Sequence, residues 1–175
     1  MMRMTWRTSI MGALLAFAGS TGAAGAQMVP ADRSADEAAD LVRQADAALE
    51  GKSDWGRAAI LYRQAAELSV DEPIAADHHR HAGLLAFYAG REGQAVDQLT
   101  RAAETALAWG DVVSAAQSFL DAAWVAHEDG NNGKALDLAQ RAERLARSPL
   151  MARADRAQLM QRIAEPQAPR FDPDA

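Results

Sequence analysis

The chain has 175 residues, an apolar share of 49%, a charged share of 24% and a net charge of −6, a balance that fits a folded domain with one core and not a disordered segment. Its acidity repels phosphate backbones and anionic lipid, which argues against nucleic acid or a membrane surface as the principal partner. The absence of cysteine excludes disulfide staples, thiol catalysis, zinc–thiolate sites and a lipid-modified cysteine anchor.

Residues 1–26 read as a secretory signal peptide. Arg3 and Arg7 precede the uncharged run IMGALLAFAG, and small residues end in Ala24-Gly25-Ala26 before Gln27, the order of an A-x-A cleavage signal. The apolar run is too short to serve as a mature membrane anchor. The expectation is a periplasmic or secreted protein with no stable membrane anchor.

After a short linker over 27–33, the chain to residue 164 has the period of helices and no strand pattern. Start and stop signals predict seven helices, over 34–50, 56–69, 73–89, 93–108, 111–128, 133–147 and 149–164. Ser34 with Glu37 has the form of a capping box, Pro73 and Pro149 suit a first turn, and Asp111 suits an N-cap. Gly51, Gly90, Gly110 and Gly130 are placed to close the preceding helices. The last helix is expected to turn Leu150, Ala154, Ala157 and Ile163 inward and to cap the open end of the fold. The proline-rich end, 165–175, is expected to be a disordered tail.

The helices repeat in pairs. SDWGRAAILYRQAAEL (53–68), GREGQAVDQLTRAAET (90–105) and GNNGKALDLAQRAERL (130–145) align without gaps. Ala58, Ala95 and Ala135 coincide, as do Ala65, Ala102 and Ala142, with the copies 37 and then 40 residues apart. Alanine recurring at these positions is what a repeated close crossing of helix axes requires. A period of this size made of helix pairs predicts an all-α solenoid of three pairs and a capping helix.

The pattern resembles tetratricopeptide (TPR) repeats over about 40–147, through Gly83, Gly90, Ala95 and Ala102 in the second copy. In the first copy the resemblance rests on Asp54-Trp55, Ala58, Tyr62, Ala65, Glu67 and Leu68, and in the third on Ala123, Gly130, Ala135 and Ala142. The copies are longer than the family's 34 residues, Asp46 stands where a glycine is usual, and the closing proline is missing. The resemblance implies a right-handed helical-hairpin solenoid that binds protein or peptide partners on a concave face. Carried onto this chain, that face holds Asp77, Arg80, Leu84, Phe87 and Tyr88, then Gln117, Leu120, Trp124, His127 and Glu128, with Arg43 and Glu50 on the rim. Ala47, Leu84 and Trp124 occupy the positions where some relatives clamp a terminal carboxylate with asparagine, so an apolar and aromatic groove is expected instead. Trp55 is expected to anchor packing at a turn. The implied partner belongs to the cell envelope, and self-association into a scaffold is the alternative use of the same patch.

A rival chemistry comes from Asp77-His78-His79-Arg80-His81. His78 and His81 share a helix face and imidazole binds zinc, copper or nickel, which would make a small metal-handling protein, but a third ligand and an HExxH arrangement are missing. His127-Glu128-Asp129 lies at a helix end before a polar turn, with no nucleophile nearby. There is no G-x-S-x-G, P-loop or G-x-G-x-x-G. The reading is a non-catalytic binding module with no cofactor and no resident metal.

Overall fold

The computed structural model describes residues 31–52, 54–69, 73–169 and 171. Within them lie α1 (Ala31–Lys52), α2 (Trp55–Leu68), α3 (Ile74–Tyr88), α4 (Glu92–Ala108), α5 (Val112–Glu128), α6 (Asn132–Ala146) and α7 (Arg153–Ala164), with no strand among the described residues. Residues 1–26, read from sequence as a signal peptide, lie outside the described residues. Among those residues no helix is long and apolar enough to cross a membrane.

Each helix packs on the next from α1 to α6, and α7 folds back on α5 and α6. This is the arrangement of a helical-hairpin solenoid, in which neighbours supply the burial that no single pair can reach. The repeated alanines sit where helices meet. Ala58, Ala65, Ala95 and Ala142 have no exposed surface, Ala102 has 1% and Ala135 9%. The position held by Asp46, Gly83 and Ala123 in the three copies shows why size matters there. A Cβ built on Gly83 would stand 3.0 Å from the backbone nitrogen of Leu99 and 3.1 Å from the carbonyl oxygen of Ala95, so α3 and α4 approach as closely as backbone allows. In the first pair Asp46 stands at this position and accepts a 2.6 Å hydrogen bond from the Tyr62 hydroxyl. Burial first, and then this carboxylate, push the Tyr62 phenol well above its ordinary range.

The turns repeat as strictly as the crossings. Gly90, Gly110 and Gly130 have φ of 70°, 81° and 77°. In each turn the glycine N–H and the next N–H donate back into the helix, as with Gly90 to Phe87 and Arg91 to Ala86. That is the Schellman closure, which needs a left-handed residue that only glycine adopts without strain. Asp111 and Asn131, one residue on, cap the following helix by accepting from Ser114 N at 2.9 Å and Lys134 N at 3.1 Å. Asp54 does the same for Arg57 N at 3.0 Å.

Three local expectations are corrected. α1 begins at Ala31, so Ser34 lies inside it and is not its cap, and it runs through Gly51 to Lys52. Pro149 lies in the turn before α7, which starts only at Arg153. The inward face of the last segment is made by Met151, Leu159 and Ile163, while Leu150 is 82% exposed and Ala154 and Ala157 are exposed. α7 is fixed to the end of α6 by Arg156, whose guanidinium donates to the carbonyls of Ala146, Ser148 and Met151 at 2.9–3.2 Å. A cation there also meets the negative end of the α6 dipole.

Candidate functional site

The two long sides of the array differ in chemistry. On α4 and α6 the surface is dressed with exposed ion pairs, Lys134 with Asp97 and Arg141 with Asp137 and Glu104, the usual solvated finish of a helical surface. On α3 and α5 it is aromatic. Trp55 lies 5.3 Å from Tyr88, Tyr88 5.6 Å from Phe87, and Phe87 stands edge-on to Trp124 at 5.4 Å. The row runs from the start of α2 across α3 to α5, and edge-on and tilted contacts of this kind suit the ring quadrupoles.

At the α5 end the row opens into a cavity of about 330 Å³. Leu120, Trp124 and His127 of α5, Leu136 of α6, Ile163 of α7 and Pro166 beyond it line this space. Leu136 is 61% exposed, an apolar side chain on the lip of an apolar hollow. His127 is held by Asn132, Nδ1 to Oδ1 at 2.8 Å.

Beneath the row lies a buried carboxylate. Asp121, with 1% of its side chain exposed, accepts from Arg80 of α3 at 3.1 Å and from Arg162 of α7 at 2.7 Å. One anion between two guanidiniums fastens the capping helix to the middle of the array. The chain segment beyond α7 then turns back over the same side. Pro169 is buried, its carbonyl accepts from the Tyr88 hydroxyl at 3.2 Å, and Phe171 packs on the core with its ring edge-on to His81 at 5.3 Å. Of the end expected to be a disordered tail, Pro166 and Gln167 line the cavity, and Pro169 and Phe171 meet Tyr88 and His81 of α3.

The nine residues expected to touch a partner divide accordingly. Phe87, Tyr88, Trp124 and His127 are brought together along the row and cavity, and Leu120 forms the cavity floor. Leu84 has no exposed surface; it is core, because its place in the alignment names a helix face and not a depth. Arg80 is not a free rim charge, since it is committed to Asp121. Arg43 lies exposed on α1 and pairs with Asp40 at 2.9 Å, away from the cavity, and Glu128 is exposed at the end of α5. Trp55 is half-buried against the core, as a packing anchor would be.

His78 and His81 stay on one face, both beside the Tyr62 ring at 6.2 and 5.0 Å, and the helix turns His79 away from them. His79 faces α4, its Nδ1 2.9 Å from Gln98 Oε1. Among the described residues no group of three or more His, Cys, Asp or Glu converges as metal ligands. Burial holds the His79 imidazole below its ordinary value, with Arg101 and Arg63 acting the same way against the Gln98 hydrogen bond and Glu67. The unfolded chain therefore takes up a proton near pH 6.5 that the folded chain refuses, and stability is full above that pH and falls below it. Urea midpoints are expected to drop between pH 7.5 and pH 5, and His79→Gln to flatten the drop. A slope unchanged in that variant would assign the effect elsewhere.

Asp121, Arg162, Leu136, Pro169 and Phe171 escaped the reading of the sequence. Only Asp121 carried a signal, a lone carboxylate inside the apolar run SFLDAAWVA. Comparison of the chain with protein-family models, curated proteins and solved structures found no match.

Proposed function

We propose that the chain is a tetratricopeptide-like module, exported by its N-terminal segment, that binds an extended segment of a cell-envelope protein along the α3–α5 side. The observation that carries this reading is the aromatic row ending in an apolar cavity, on a scaffold whose α4 and α6 carry exposed ion pairs. Aromatic side chains in a desolvated hollow are what binding hot spots are made of, and a preformed groove limits the ordering that association demands. The row and cavity offer such a segment shape, aromatic rings and hydrogen bonds.

A photoreactive amino acid in place of His127, at the cavity, is expected to crosslink one envelope protein in intact cells. In place of Glu104, exposed on α4, it is expected to crosslink none. Trp124→Ala should abolish capture with helicity retained; Arg80→Ala is a poorer test, since it strips Asp121 of a partner. Equal crosslinking from both positions, or from neither, would contradict the reading. In the exported protein, mass spectrometry should find Gln27 as the first residue.

A further inference from the structure

Resting on the reading above, we infer that the segment of residues 166–169 and 171 is an intramolecular ligand of the groove, and that its partner is an extended segment carrying a proline followed two residues later by an aromatic ring. Pro166 and Gln167 lie at the cavity beside Trp124 and Ile163. Pro169 is buried and receives the Tyr88 hydroxyl. Phe171 reaches His81, further along α3. The segment is not helical, and it meets the array through two prolines, one backbone carbonyl and one aromatic ring. Those are the means by which proline-rich extended peptides dock on aromatic-lined grooves, where stiffness lowers the entropy lost on binding.

Occupancy by this segment and by a partner are mutually exclusive, because both need Tyr88 and the cavity beside Trp124. The segment is joined to α7 through Glu165 alone, and so short a tether gives an effective concentration in the millimolar range. A partner must displace it, which weakens the partner's apparent affinity by the fraction of time the groove is open. The tail thereby sets a threshold that rejects weak, unrelated segments.

The test is competition in trans on the full chain, using a fluorescent peptide of residues 165–175, EPQAPRFDPDA. The Phe171→Ala chain is expected to bind it about ten-fold more tightly than the unaltered chain, because its own tail no longer competes. A peptide with the same phenylalanine replaced by alanine should not bind. Equal affinity of the two chains, or binding by neither, would overturn the inference. Should Phe171→Ala lose helicity, a second measurement decides. The chain has no cysteine, so Ala168→Cys, at an exposed position, takes a nitroxide at one place. Broadened signals from α3 and α5 that recover at saturating peptide support the inference; broadening that is absent, or that persists, overturns it. Failed competition with crosslinking at position 127 intact removes the tail's role alone. Lost crosslinking with competition intact removes the envelope partner alone.

Discussion

Asp121→Asn is expected to destabilise the fold by about 3 kcal/mol and to lower Tm by about 6–12 °C, the shift such a loss produces in a domain of this size. The carboxylate is 1% exposed and is shared by Arg80 and Arg162. An amide of the same shape removes the charge and turns an N–H group towards one guanidinium. Breaking one member of a buried pair ordinarily costs about 3–5 kcal/mol. The lower end applies because both arginine side chains keep about a quarter of their surface, 23% and 26%, and can turn to water. The exposed pair of Arg63 with Glu67, 2.7 Å apart, is the control, since Arg63→Ala should change stability by under about 1 kcal/mol. If the triad acts as described, Asp121→Leu with Arg80→Met and Arg162→Met should recover most of the loss, because apolar residues replace the whole buried network. Equal effects at Asp121 and Arg63 in urea unfolding would mean that the buried anion does not hold α7.

Gly83→Ala is expected to lower stability by about 2 kcal/mol, against the usual direction. Within a helix, alanine ordinarily gains about 0.5–1 kcal/mol over glycine by restricting the unfolded chain and favouring the helix. At Gly83 the added methyl would stand 2.7 Å from Leu99 Cγ and 3.0–3.1 Å from the backbone of α4. Leu99 is fully buried and cannot swing away, so α3 and α4 must separate. Gly93 and Gly133 lie in α4 and α6, where a methyl group added to either would meet nothing within 4 Å, and alanine there should be neutral or stabilising. Opposite signs at 83 and 93 in thermal unfolding would support the close crossing; a gain at both would contradict it.

The helices and their crossings were legible because they rest on local and repeated features. Gly90, Gly110 and Gly130 mark turns by their own conformational freedom, and Ala58, Ala95 and Ala135 mark close approach by being small three times over. The ends of the fold were less legible. Pro149 suggested a helix start, but Met151 and Leu159 take the buried places and α7 begins later. Four residues of the candidate site, Phe87, Tyr88, Trp124 and His127, followed from register within a repeat. Leu84 shares their helix face yet lies one layer deeper, which register alone does not specify. The triad was illegible because each arginine lies 41 residues from Asp121, and no local pattern joins three helices. The contacts of the tail were illegible because its composition describes a solvated chain, while they depend on Tyr88, 81 residues earlier than Pro169, and on His81 of the same helix.

Hydrogen exchange of the chain with and without its crosslinked partner shows whether a partner sits on the proposed α3–α5 surface. Protection is expected to rise in α3 and α5, where Tyr88 and Trp124 lie, and to stay unchanged in the middle of α4. Protection gained on α4 and α6, with α3 and α5 unaffected, would contradict the account.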